Sequence, residues 1–258
     1  MRIAAIVQAR MGSTRLPGKV LRPLGGVPVI QWIYERLSKC RNLDQIVVAT
    51  GESAADDEFA ETLKRLGIPV FRGSEHDVLD RYYRAARAIR ADAVVRITGD
   101  CPLIDPAVVD AVVARFNEGQ PELRYVSNIN PPTYPDGLDV EVFTIEALYQ
   151  AWRQSEWASE REHVTPYMRN RPDLFPQDHI RCEKDYSHYR WTLDEERDWS
   201  FLTALVSLAS DKGWEPREVS FPEWLSLIES HSDLTGRNEG ILRNEGEMKS
   251  LAADRKVK

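Results

Sequence analysis

At 258 residues and 42% hydrophobic content, the chain carries enough apolar material for a sizeable core, read as one large α/β domain rather than two small ones. Lys plus Arg number 34 against 41 Asp plus Glu, a net charge of −7, which argues against broad electrostatic binding to nucleic acid or to an anionic membrane and for a small ligand. Cys40, Cys101 and Cys182 are widely spaced and include no CxxC pair, so neither a disulfide framework nor a zinc site is indicated; with no long apolar segment near the start, a soluble cytoplasmic protein is expected.

Residues 3–8 (IAAIVQ) form a short apolar run before a glycine-containing loop, the pattern of a buried parallel strand. The loop is cationic. The first 34 residues hold Arg2, Arg10, Arg15, Lys19 and Arg22, and no acidic residue precedes Glu35. A local positive field in a net-negative chain points to an anion held at one place. Gly12 and Gly18 let backbone N–H groups turn toward it, Ser13 and Thr14 offer hydroxyls, and Arg15 and Lys19 supply charge for phosphate oxygens. A triphosphate fits this loop best; the alternative is a solvated basic turn.

A helix is predicted over 29–39, a strand over 45–50, a helix over 56–66, a short strand over 69–71, a helix over 77–90, a strand over 92–98 and a helix over 106–117 with proline at its first position. This alternation specifies a mainly parallel sheet with helices on both faces, a Rossmann-like arrangement that binds ligands beyond the carboxyl ends of its strands. Residues 128–139 (NINPPTYPDGLD) read as a loop over the pocket. A strand over 140–143, helices over 145–155 and 161–170, a strand over 188–193 and helices over 198–208 and 222–228 follow. The expected domain covers residues 1–230, and 231–258 read as a polar, partly mobile tail with little chemistry.

Asp100 directly follows a buried strand, beside the cationic loop, where a magnesium ion on phosphates would need an oxygen ligand. Asp194 closes a second predicted strand and could complete that site, or act as a helix cap. Asp139 and Glu141 lie two apart on a predicted strand and so share a face, positioned to orient sugar hydroxyls or bind metal, or as a plain acidic surface. His163 lies in a charged helical segment, Arg161-Glu162-His163. No GxSxG, HExxH or GxxxxGK[ST] occurs.

The stretch Gln8-Ala9-Arg10-x-x-Ser13-x-Arg15-Leu16-Pro17-x-Lys19 resembles the signature of cytidylyltransferases that activate acidic sugars, and is most similar to the spore coat polysaccharide biosynthesis protein F group. The resemblance runs on through Arg72-Gly73-Ser74, 77–81 (DVLDR), 98–103 (TGDCPL), 136–141 (DGLDVE), 161–167 (REHVTPY) and 192–194 (TLD), covering residues 1 to about 225. It implies a nucleotide-diphospho-sugar transferase fold, CTP as donor, a sugar acceptor, magnesium as cofactor, and no nucleic-acid or membrane partner, with a homodimer as an admissible assembly. Carried over by position, Arg10, Ser13, Arg15 and Lys19 would hold the triphosphate, with Met11 and Gly12 in the same turn. Asp80 and Arg81 match an Asp-Arg pair near the nucleotide, Asp100 and Asp194 would bind metal, and Asp139, Glu141, Arg161 and His163 fall on the acceptor side.

The reaction implied is attack of a sugar oxygen on the α-phosphorus of CTP, giving CMP-sugar and pyrophosphate without a covalent intermediate. Two other readings stay open. A glycosyltransferase of the same fold would use Asp139-Val140-Glu141 as its acid-x-acid motif, and a non-catalytic nucleotide-binding subunit of an assembly complex would not need both Asp100 and Asp194.

Overall fold

Strand β1 (Ile3–Gln8) is apolar on both faces because it lies at the centre of a sheet covered on both sides. The structure is a computed structural model and describes residues 1–257. A short hairpin of β2 (Pro23–Leu24) and β3 (Val27–Pro28) leads into α1 (Val29–Leu37), followed by β4 (Gln45–Gly51), α2 (Asp57–Arg65), β5 (Val70–Gly73), α3 (Val78–Ala88), β6 (Ala93–Thr98) and α4 (Pro106–Glu118). Then come β7 (Tyr125–Ser127), β8 (Glu141–Thr144), α5 (Ile145–Gln154), α6 (Ala158–His163), α7 (Pro166–Arg169), β9 (Gln177–His179), α8 (Glu196–Asp211), α9 (Phe221–Glu229), α10 (Ser232–Thr235) and α11 (Glu245–Ala252).

The main sheet runs β5-β4-β1-β6-β8-β7-β9. β5, β4, β1 and β6 are mutually parallel, β8 is antiparallel to both of its neighbours, and β9 pairs parallel to β7. Side-chain alternation divides the core: Ala5, Val7, Val48, Val95 and Ile97 face α1, α4, α8 and α9, whereas Ala4, Ile6, Val47, Ala49 and Val94 face α3 and α5. Tyr82 of α3 pins its own face by donating to the carbonyls of Ile6 and Ile97.

The expected mainly parallel architecture is present, with element ends within a few residues of those read from the sequence. Residues 188–193 are a correction. They form no strand: His188 lies in a turn, and the segment pairs only at one bridge, Asp136 to Arg190. Its amides are used by loops instead: Trp191 N donates to the Asp136 carbonyl and Leu193 N to that of Asp100. The helix expected over 161–170 is two helices, separated where Val164 adopts φ 71° and Pro166 starts the second. The hairpin and the short strands β7 and β9 carried no sequence signal of sufficient length.

The C-terminal tail also departs from a featureless polar end. It contains α10 and α11 and returns across the molecule to bridge Trp157 through Lys256.

Candidate active site

β1 and β6 lie side by side in register, Gln8 opposite Thr98, so both of their carboxyl ends open at one sheet edge. The backbones approach closely there: Gly99 N donates to the Gln8 carbonyl at 2.8 Å, and a Cβ on Gly99 would lie 2.7 Å from that of Ala9. Only glycine brings the two loops this near. The cationic loop is fixed by Asp56, which accepts from Met11 N at 2.8 Å, and by Ser13, whose hydroxyl accepts from Leu16 N. Gly18 turns the chain with φ 69°, whereas Gly12 keeps an ordinary negative φ.

Two adjoining cavities open at this edge. One, of about 240 Å3, is lined by Arg10, Ser13, Thr14, Arg15, Lys19, Arg81 and Gly99. The other, of about 320 Å3, is lined by Arg96, Asp136, Asp139, Glu141, Arg169 and Arg190, among others. Gln8, Arg10, Arg15, Thr98, Asp100 and His163 line both, so Asp100 stands at the seam.

Asp194 reaches the seam because the segment before it is clamped to Asp100: Leu193 N and Thr192 Oγ1 both donate to the Asp100 carbonyl. The capping of α8 falls to Glu195 with Asp198, which leaves the Asp194 carboxylate free of that duty. Lys19 joins the two acids. Its Nζ donates to Asp100 Oδ2 at 3.0 Å, Asp194 Oδ1 at 2.8 Å and the Leu193 carbonyl at 2.8 Å. An ammonium has three donors, so none is left for a phosphate in this arrangement. Burial works against the Lys19 charge, but Asp100 and Asp194 outweigh it and raise its pKa. Burial likewise works against the Asp100 charge, yet Lys19 and the Thr98 hydroxyl hold that carboxyl well below its usual range.

Arg190, nearly buried, grips the other side of Asp194 at 3.1 Å and also pairs with Asp136 and Asp198. Burial and the neighbouring Asp139 carboxylate push Asp136 up to about 7 against the pull of Arg243 and Arg190. Burial, with Glu141 adding to it, raises Asp139 despite its ion pair with Arg243. Glu141 is fully engaged, accepting from Tyr125 and from Arg96 of the adjacent strand, and Arg96 holds its pKa down against burial. Burial drives His163 down to about 4, Arg96 and Arg169 assisting, so its imidazole is neutral near pH 7.

Of the residues singled out in the sequence, Arg10, Ser13, Arg15, Lys19, Arg81, Asp100, Asp139, Glu141, His163 and Asp194 line the cleft. Met11 and Gly12 shape the loop without lining it. Asp80 points elsewhere: it accepts from Trp152 Nε1 and pairs with Arg84, tying α3 to α5. Arg161, expected on the acceptor side, lines neither of the two cleft cavities; it pairs with Asp77 at the start of α3 beside a third cavity shared with Arg10. Arg96, Arg169, Arg190 and the 242–247 segment escaped the sequence reading. Arg96 carried a signal, since an arginine inside the run AVVRIT must find a buried partner; the others carried none.

The donor set fits a divalent magnesium ion: Asp100 and Asp194 already converge on one cation, and magnesium typically takes one or two carboxylates together with substrate phosphates and water. No cluster of three or more metal-binding side chains occurs among the described residues.

The family profile described as cytidylyltransferase matches residues 4–231. The spore coat polysaccharide biosynthesis protein SpsF of Bacillus subtilis is 34% identical over 245 residues, 92% of this chain and 98% of that protein. The 3-deoxy-manno-octulosonate cytidylyltransferase of Geobacter sulfurreducens is 39% identical over 120 residues, 46% of each chain. A solved cytidylyltransferase structure from Leptospira borgpetersenii superposes with a TM-score of 0.87 at 34% identity, covering 94% of this chain and 99% of the other. With the profile spanning nearly the whole α/β domain and full-length relatives of matching architecture, the chain belongs to the cytidylyltransferase family.

Proposed function

We propose that this cytidylyltransferase transfers CMP from CTP to an acidic sugar, releasing pyrophosphate, in the synthesis of a surface polysaccharide or glycan. The observation that carries this reading is the pairing of Arg10 and Arg81. Both line the loop-side cavity, neither has an ion pair among the described residues, and Arg81 is buried with its Nε lacking any hydrogen-bond partner. Burial and the repulsion of Arg10 lower the Arg81 pKa. Cations without an ion-pair partner at one cavity are stabilised by a polyanion, and a triphosphate supplies one.

On this reading Arg10, Arg81, Ser13 and Arg15 bind the triphosphate, and the sugar enters the cavity bounded by Asp139, His163 and Arg169. Asp100 and Asp194 would hold a magnesium ion, which when bound supplies charge neutralisation at the reacting phosphate. Lys19 acts as a positioning residue that holds both carboxylates at the seam, where the two substrates meet in line. The His163 imidazole, neutral and with its Nε2 lacking a hydrogen-bond partner, is suited to hold a sugar hydroxyl by a hydrogen bond rather than to act as a strong base, since burial lowers its basicity.

A glycosyltransferase using Asp139-Val140-Glu141 is disfavoured, because both Glu141 oxygens are taken by Arg96 and Tyr125. A cytoplasmic location fits the free state of all three cysteines, and no helix of the described residues is long and apolar enough to cross a membrane. The test is incubation with magnesium, each of the four nucleoside triphosphates and a panel of acidic sugars, with pyrophosphate as readout. Release only with CTP and an acidic sugar is expected; equal thermal stabilisation by all four nucleotides with no pyrophosphate would refute the assignment.

A further inference from the structure

The C-terminal segment lies against the cleft. Asn244, Glu245, Gly246 and Glu247 line the larger cavity beside Asp100 and Asp194. Glu245 Oε2 sits 3.1 Å from Arg15 Nη1, and the Glu247 carboxylate pairs with Arg169. Just before α11, Arg243 pairs with Asp139 and donates to the Tyr134 carbonyl. Further on, Ser250 donates to Glu162, Asp254 accepts from Ser159, and Val257 N donates to the Glu156 carbonyl.

These attachments are polar. α11 buries no side chain, and Leu242, Met248, Leu251 and Val257 are 62%, 55%, 53% and 49% exposed. A segment held by ion pairs and hydrogen bonds rather than by apolar burial opens locally at small cost. Its carboxylates also take the cations that anionic substrates would use: Glu245 has Arg15, and Glu247 has Arg169 on the acceptor side.

We propose that residues 241–257 form an internal substrate-mimicking strap, in which the Glu245 carboxylate competes with the triphosphate for Arg15 and yields when the nucleotide binds. Release of the strap would free Arg169 and Asp139 to the sugar, so nucleotide binding would open the acceptor side. The proposal rests on the assignment of Arg15 to the triphosphate. Linkage gives it a direction: a contact made only in the ligand-free state lowers affinity, and weakening it raises affinity.

The experiment uses the full chain, wild type, Glu245→Gln and Glu245→Gln/Glu247→Gln, with CTP and magnesium as the probe. CTP affinity is measured by calorimetry, and trypsin cleavage after Arg243, Lys249 and Arg255 is followed with and without CTP. We expect CTP to bind about two- to fivefold more tightly to the single variant, and more tightly again to the double, from the usual strength of half-exposed pairs. Cleavage in the segment should accelerate at least about threefold with saturating CTP in the wild type, since cleavage tracks the open population. Tighter binding without faster cleavage would reflect lost negative charge alone and overturn the strap. CTP that protects the segment would overturn it by making the segment a lid that closes over substrate. CTP that binds with equal affinity to all three chains would overturn it while leaving the cytidylyltransferase reading in place. No CTP binding by any chain would overturn both.

Discussion

Lys19 and Asp100, 81 residues apart in sequence, are joined by a 3.0 Å charge-assisted hydrogen bond at the seam between the two cavities. The loop position of Lys19 suggests a side chain free to meet phosphate, and its substitution would then leave the fold intact. Instead it is buried, and its three donors hold two carboxylates and a carbonyl.

Lys19→Ala is therefore expected to act on fold and turnover together. Losing one partner of a buried ion cluster costs about 3 kcal/mol, and misplacing the acids should lower kcat by about 100-fold or more. Melting curves and steady-state kinetics check this. A positioning role leaves the KM for CTP nearly unchanged, whereas a raised KM with normal kcat would return Lys19 to simple phosphate binding.

Asp100→Asn and Asp194→Asn should each remove most activity, and the double variant should be little worse than the poorer single, as the proposed sharing of one magnesium ion by both acids requires. The readout is pyrophosphate release against magnesium concentration. Multiplicative losses would separate the two acids. Asp194→Asn should also melt lower than Asp100→Asn, since Asp194 additionally pairs with Arg15 and Arg190.

Glu141→Gln leaves the Arg96 charge buried without its ion-pair partner, and a loss of about 3–5 kcal/mol is expected. Replacing both residues by methionine should recover much of that stability, because the pair then leaves no uncompensated charge. Urea unfolding of the two variants distinguishes this from a general intolerance of β8 to change.

Asp136 confers a pH dependence of definite sign. The folded carboxyl keeps its proton to about pH 7, whereas in the unfolded chain it ionises near 4. Its contribution is therefore fully present below about pH 4 and lost as pH rises through 7. The melting temperature of the wild type should fall relative to Asp136→Asn between pH 5 and 8. Parallel curves would show that Arg190 alone governs this carboxylate.

Cysteine chemistry should be irrelevant to turnover. Burial raises the Cys101 thiol well above its ordinary pKa, so it is no nucleophile at neutral pH. Cys101→Ser should keep near wild-type pyrophosphate release; its inactivation in a folded protein would require a different mechanism.

What the sequence by itself determined was local and periodic. The apolar runs at 3–8, 45–50 and 92–98 set the parallel strands, the helical spacing between them set both covering layers, and the charge imbalance before Glu35 marked the cationic loop that lines the cleft. Such signals are legible because a buried strand or an amphipathic helix is specified within about ten residues. The tertiary structure alone decided which charges meet. Arg190 became the hub of three aspartates, Lys19 became the link between Asp100 and Asp194, Asp80 and Arg161 were turned to structural pairs outside the two cleft cavities, and a polar tail was laid along the cleft through Glu245 and Glu247. An ion pair has no periodicity and no required spacing, so its partner is fixed only when the backbone brings two distant side chains within reach, and a segment that attaches by such pairs reads in sequence like any solvated tail.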